Sequence, residues 1–338
     1  MIVLSAWWGL WLLVGLTLLF NFLNGFHDAS NMVATVISTR ALSPRAALTW
    51  IAFFEFLGPY VLGVAVAKTI GADIVSSQHI TVVVLYSALL AAIIWNLVTW
   101  YFGIPSSSSH ALIGGIVGSV AMASGFGVIK PEGMEKVLIA LFTSPVLGFI
   151  VGYLLMKLAL ALLWWATPSI NKWFRYGQLV TSAALALSHG ANDGQKGMGI
   201  IALGLLTLGY LHTFTVPGWV IVASSVAMAL GAYSGGWRLI HTIGAKFYRI
   251  RPLHGFLIQL TSASIIIGAA LLGGPVSTTQ VVSAAVVGVG SGERMSKVRW
   301  HVAWDIVMTW VLTIPITMAL GALFYWLIAP HLSVYVLK

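Results

Sequence analysis

The stretch Gly103-Ile-Pro-Ser-Ser-Ser-Ser-His-Ala-Leu-Ile-Gly-Gly-Ile-Val-Gly118 sets a proline and four consecutive serines inside an apolar neighbourhood. Hydroxyls and a broken helix are costly there unless something polar occupies the run. The pattern returns 170 residues later as Gly273-Gly-Pro-Val-Ser-Thr-Thr-Gln-Val-Val-Ser-Ala-Ala-Val-Val-Gly288. Pro105 then aligns with Pro275, Ser107 with Ser277, Ser108 with Thr278, Ser109 with Thr279 and Gly118 with Gly288. A second echo, at an offset of 165, pairs Gly25-Phe-His-Asp-Ala-Ser-Asn31 with Gly190-Ala-Asn-Asp-Gly-Gln-Lys196. Each half of the chain therefore carries an aspartate motif and, about 80 residues further on, a hydroxyl-rich helix break.

The surroundings decide what such a duplication means. Of 338 residues, 59% are hydrophobic and 7% charged, and the mean hydropathy is +0.97. That composition excludes a soluble domain. Apolar runs of membrane-spanning length recur throughout, near 4–38, 46–68, 80–102, 107–126, 136–165, 177–206, 217–245, 253–273, 276–290 and 299–328. They lack a strand's polar alternation, so the spans are helices. The first of them has no basic n-region or small-residue cleavage pattern and is expected to stay as a helix. Cysteine is absent, which removes thiolate chemistry and Cys-ligated metals. The net charge of +9 lacks the basic-aromatic interleaving of a nucleic-acid reader, so no nucleic-acid partner is expected.

The basic residues cluster in four loops: Arg40 and Arg45; Lys172 and Arg175; Lys246, Arg249 and Arg251; and Arg294, Lys297 and Arg299. By the positive-inside rule these loops face the cytoplasm. The hydroxyl-rich pairs 80–126 and 253–290 must then enter and leave on the same side, the first from outside and the second from inside. Each is a re-entrant hairpin broken at its proline. The expected fold is an all-α polytopic membrane protein built as an inverted-topology repeat. Its halves are 1–165 and 177–338, joined by a cytoplasmic linker at 166–176, with hairpin tips near 103–109 and 273–279. Both termini are expected outside the cell membrane. Inverted halves point to a transporter working by alternating access.

At each tip a helix restarts, presenting free N–H groups beside Ser107, Ser108 and Ser109 or Ser277, Thr278 and Thr279. A tetrahedral oxyanion suits such neutral donors. Asp28 and Asp193, with Glu55 and Asp305, fall within membrane segments, where a carboxylate needs a partner or a task. Beside an anion, Asp28 and Asp193 must be protonated, paired or metal-bound. Lys196, three residues after Asp193, lies on the same helix face and serves as a tethered cation. His27 and His189 can carry protons near neutral pH.

These motifs resemble the inorganic phosphate transporter (Pit) family, in its short bacterial low-affinity form. The resemblance rests on Asn-Gly-Phe-His-Asp-Ala-Ser-Asn at 24–31, Thr-Arg-Ala-Leu-Ser-Pro at 39–44, Pro-Ser-Ser-Ser-Ser-His at 105–110, Ser-His-Gly-Ala-Asn-Asp-Gly-Gln-Lys-Gly-Met-Gly-Ile at 188–200 and Gly-Pro-Val-Ser-Thr-Thr-Gln at 274–280. It implies inorganic phosphate as substrate, bound by the hairpin hydroxyls with Asn192 and Gln280. It also implies a homodimer in the bacterial cytoplasmic membrane, with no resident cofactor. Asp28, Asp193, His27, Lys196, Asn31 and Glu55 are the expected ion-coupling residues. Sodium-coupled members resemble Gly-Ala-Asn-Asp-Val-Ala-Asn in both repeats. Here His27 and Lys196 replace two of those asparagines, which favours H⁺ over Na⁺. In similar members a divalent metal accompanies phosphate; the chain's own metal chemistry stays open. Gln280 stands where close relatives carry His, and its role is open too.

Other readings are a sulfate symporter, a Na⁺-coupled phosphate symporter and a channel. An intramembrane hydrolase using Ser109, His110 and Asp28 is disfavoured, because adjacent residues on a helix point about 100° apart and the second hairpin has Thr279-Gln280 instead.

Overall fold

The computed structural model describes residues 2–75, 79–235 and 250–334. Lys246, Arg249 and the end of the expected segment 217–245 lie outside them. Helices dominate, in the order α1 (Ala6–Ser38), α2 (Pro44–Leu62), α3 (Ala65–Lys68) with a π-helical turn at Thr69–Asp73, α4 (Val82–Phe102), α5 (Ser108–Ser124), α6 (Pro131–Leu162), α7 (Ile170–Thr207), α8 (Gly218–Ser234), α9 (Pro252–Leu271), α10 (Thr278–Glu293) and α11 (Trp300–Ile328). Two short strands, β1 (Ile2–Leu4) and β2 (Leu332–Val334), pair in parallel at one end of the molecule.

Five of these helices are long and apolar enough to cross a membrane: α1, α4, α6, α9 and α11. The expected span 46–68 is not a single helix. It breaks at Gly63, whose φ of 79° ends α2, and the chain turns by 75° into the stretch Ala65–Asp73. Ser43 starts α2 by accepting from the Ala46 N–H ahead of Pro44, and Thr81 caps α4 in the same way. α7 begins at Ile170, so Lys172 and Arg175 already lie on its first turns.

The basic loops gather at one end of the molecule. Thr39 donates to Gln178 Oε1, Gln178 donates to the Pro252 carbonyl, and Arg251 and Lys297 both pair with Glu293. The paired strands and an isolated bridge between Val75 and Ile129 lie toward the other. Exposed Trp164, Trp165 and Trp173 mark the first end and Trp7 and Trp8 the second, as expected of residues at two bilayer interfaces.

Two apolar cores flank the middle of the bundle. One joins the first part of α1 to α4, α5 and the second part of α7; the other joins the rest of α1 and α7 to α2, α9 and α10. The aspartate motifs of α1 and α7 fall at the junction. Apolar burial does little to associate helices that already sit in lipid, so close backbone contact carries more of the packing. At Gly118 a Cβ would overlap the Met318 carbonyl of α11, and at Gly288 the Phe149 carbonyl of α6. These two glycines are counterparts at the offset of 170, and they seat α5 on α11 and α10 on α6.

Candidate functional site

Both hairpins reverse in the same way. α4 ends at Gly103 with φ of 66° and α9 is followed by Gly273 with φ of 69°, left-handed turns that favour glycine. The chain then runs extended through Pro105 or Pro275 to a helix-capping serine. Ser107 Oγ accepts from the His110 N–H at 3.1 Å and Ser277 Oγ from the Gln280 N–H at 3.4 Å. Ser107 and Ser277 are therefore N-caps, and the next two hydroxyls of each hairpin turn toward the centre. The first free N–H groups of α5 and α10 converge there with their positive dipole ends.

What they meet comes from α1, α2 and α7. Gly58 and Gly190 let α2 and α7 cross closely, since a Cβ on either would overlap the other helix's backbone. That crossing places Glu55 Oε1 2.5 Å from His189 Nδ1. On its other side the His189 ring has Nε2 3.4 Å from Asp28 Oδ2 and 3.7 Å from Asp193 Oδ2. The imidazole thus spans all three buried carboxylates. His27 Nδ1 lies 3.3 Å from Asp28 Oδ1, and its Nε2 has no partner among the described residues.

The hairpin hydroxyls close the cluster. Thr279 donates to Asp28 Oδ1 at 2.7 Å, and Thr278 lies 3.4 Å from both Asp28 Oδ2 and Asp193 Oδ2. Ser108 donates to Asn24 Oδ1 at 2.8 Å, while Asn24 Nδ2 reaches Asp193 Oδ2 at 3.5 Å. Asn31 Nδ2 bridges Asp28 Oδ1 and Thr279 Oγ1, each at 3.0 Å. Asn192 Nδ2 donates to the Gly274 carbonyl at 3.0 Å. The Lys196 ammonium sits 2.8 Å from Asp193 Oδ1 and donates to Ser109 Oγ and to the Val276 carbonyl, touching both hairpins at once. Glu55, Asp28, His189, Asp193 and Lys196 are each at most 1% exposed.

Most of the residues singled out in the sequence come together here. Gln280 does not: its Nε2 lies 3.4 Å from His110 Nε2, on the side of α10 facing a separate apolar cavity. Asp305 is exposed on α11 and takes no part. Two contributors, Asn24 and Gln195, lie within the quoted motif stretches, but the sequence assigns them no role. Asn24 precedes the first aspartate motif and is the counterpart, at the offset of 165, of His189. Gln195 accepts from the Val66 and Ala67 N–H groups at 2.8 and 3.2 Å and donates to the Gly63 carbonyl, satisfying the backbone freed by the bend after α2. No spacing rule connects Gln195 to a break 130 residues earlier. Asp28, His189 and Asp193 each also offer one ligand atom, all within 4.8 Å of one another, the donor set of a small cation site.

A bundle of apolar spans around two broken hairpins, whose helix starts meet a buried cluster of opposite charges, defines a polytopic membrane transport protein. The chain belongs to the phosphate transporter family, whose profile matches residues 24–167 and 165–321. A protein of Rhizobium meliloti (strain 1021), named "Probable low-affinity inorganic phosphate transporter", is 45% identical over 93% of this chain and 94% of its own length. One of the same name from Bacillus subtilis (strain 168) is 44% identical over 94% and 96%. Among solved structures, one titled "The sodium-dependent phosphate transporter" superposes with a TM-score of 0.89. It covers 96% of this chain and 99% of that one at 24% identity, which speaks for the fold alone.

Proposed function

We propose that the protein imports inorganic phosphate across the bacterial cytoplasmic membrane as a proton-coupled symporter working by alternating access. The observation that carries this reading is the meeting of both hairpin tips, through Ser108, Ser109, Thr278 and Thr279, with Asn24, Asp28, Asp193 and Lys196. Neutral hydroxyls and helix N-termini suit a phosphate that must be bound and then released. In this arrangement Thr278 and Thr279 are turned onto the carboxylates, Ser108 onto Asn24 and Ser109 onto the Val276 carbonyl. An arriving phosphate would draw them and the Lys196 ammonium onto its own oxygens. Asp28 and Asp193 are then left to face an anion, and proton uptake on the carboxylate and imidazole groups relieves the repulsion. Three carboxylates stand against one lysine, so the centre reaches neutrality when its carboxylates and two imidazoles together take up two protons. An inward-negative potential opposes net anion entry by about 2.3 kcal/mol per charge per 100 mV, which makes such charge compensation necessary for uptake.

Two companions of phosphate compete with the bare proton. The Asp28, His189 and Asp193 atoms would suit a divalent metal carried in with phosphate as part of the substrate. A sodium reading draws support from the buried Asn31 Oδ1 and Asn192 Oδ1, oxygens without a partner among the described residues. Against sodium stands Lys196, whose ammonium already compensates Asp193. Sulfate is the rival anion, but it lacks the proton that hydrogen phosphate can donate to Asp28 or Asp193.

Uptake of radiolabelled phosphate into proteoliposomes, with imposed pH and sodium gradients varied separately, tests the proposal. Uptake driven by an acid-outside gradient in the absence of Na⁺ is expected, with little inhibition by excess sulfate. Uptake that requires Na⁺ and ignores the pH gradient would overturn the coupling, and strong inhibition by sulfate would overturn the substrate.

A further inference from the structure

Beside the hairpin tips, but outside the acidic centre, lies a cavity of about 430 Å³. α10 forms its floor with Gln280 and Ser283, and its walls come from α6 (Phe142, Phe149) and α11 (Trp300, Trp310). α6 packs on α10 whereas α11 packs on α5 and α4, so the two wall helices leave a cleft between them. Phe142 and Trp300 are exposed at its rim, 57% and 47%, so the cleft opens sideways toward hydrocarbon.

Besides the His110 imidazole, which lies against Ser107 and Gln280, three polar groups interrupt this apolar lining. Gln280 Oε1 and Ser283 Oγ belong to side chains no more than 3% exposed, and both lack a hydrogen-bond partner among the described residues; so does Trp310 Nε1. Some helical serines and threonines return their hydroxyl to the preceding turn, as Ser119 does to Gly115 and Thr317 to Thr313; Ser283 does not, and neither do Ser224, Ser225, Thr261, Ser262 and Ser291. The counterpart of Ser283 in the first hairpin is Ile113, whereas that of Gln280 is the polar His110, which lines the same cavity. No Lys, Arg, Asp or Glu lines the cavity, which disfavours a charged headgroup.

We propose that this cavity is a binding site for a neutral amphiphile drawn from the bilayer. Its hydrocarbon body lies between α6 and α11, and a single hydroxyl or carbonyl group reaches the inner end. There Trp310 Nε1 and the Ser283 hydroxyl donate to its oxygen, and where that oxygen is a hydroxyl its proton goes to Gln280 Oε1. A groove that served only as lipid contact would have no use for three orphaned polar groups, since unpartnered polar atoms in hydrocarbon are disfavoured.

The probe is a diazirine-bearing long-chain alcohol, photolysed with the full chain in proteoliposomes, with labelled peptides mapped by mass spectrometry. Labelling of α6, α10 or α11 is expected, displaced by unlabelled hexadecanol about tenfold more effectively than by hexadecane, the discrimination one net hydrogen bond supplies. Ser283→Ala should weaken that discrimination, and Ala284→Phe, which fills the floor, should abolish the label. Equal displacement by hexadecane in the unaltered protein would overturn the proposal whether or not the variants fold. So would labelling confined to other helices.

Discussion

Lys196 and Ser109 stand 87 residues apart in the chain, yet the ammonium of one donates to the hydroxyl of the other across the two halves of the molecule. The counterpart of this contact is Asn31 with Thr279, at 3.0 Å. Each aspartate motif thus holds the third hydroxyl position of the opposite hairpin. The two contacts differ in charge, because Lys196 stands where the first motif has the neutral Asn31.

Removing that charge tests what it does. Lys196→Met leaves Asp193 buried without its cation, a loss of about 3–5 kcal/mol for a broken buried pair. Thermal unfolding in detergent should register it, and phosphate uptake should vanish. The double variant Asp193→Asn with Lys196→Met should recover most of the thermal stability and none of the uptake. Recovered uptake in the double variant would show that the pair is structural only.

Asn31 holds Asp28 and Thr279 together with one amide group. Asn31→Ala frees both partners in a buried setting, at a cost of about 1–3 kcal/mol. Phosphate uptake should show a raised KM, since the second hairpin is no longer aligned. An unchanged KM with a normal maximal rate would exclude this role.

Among the described residues the Glu55 carboxylate contacts the centre only through His189, at 2.5 Å. Glu55→Gln keeps the shape and removes one carboxylate. Counterflow exchange of labelled phosphate should persist in preloaded vesicles, while stimulation by an acid-outside pH gradient falls toward the gradient-free rate. Undiminished stimulation would place proton coupling elsewhere.

Gln195 satisfies three backbone groups where the chain bends after α2. Gln195→Ala should destabilise the protein by about 1–3 kcal/mol for each group left dry, and Gln195→Glu, which keeps the acceptor but not the donor, should recover part of the loss. Equal melting temperatures for all three proteins would refute the clamp.

Close packing makes a sharper stability comparison. Gly288→Ala forces a methyl onto the Phe149 carbonyl, and overpacking of this kind costs about 1–3 kcal/mol or more. Gly268→Ala, with nothing within 4 Å of the new Cβ, serves as its control and should melt at or above the parent temperature.

The amino-acid sequence by itself determined the membrane class, most helix positions and the pairing of the two motifs. Hydropathy and repeated spacing are local, and they survive without knowledge of how helices meet. Lys196 was legible as the partner of Asp193 for the same reason, since a separation of three residues fixes one helix face. Tertiary structure decided the rest. The bend at Gly63 left no mark in an apolar run, because Gln195, remote in sequence, makes it tolerable. Ser107 and Ser277 read as ligands with their neighbours, but the turn geometry spends them as caps. His189 gained its central place only when Gly58 and Gly190 let two helices cross, and Gln280 lost its place because α10 turns it outward. Polar contacts in a membrane interior depend on which faces converge, and the packing of helix on helix fixes that convergence.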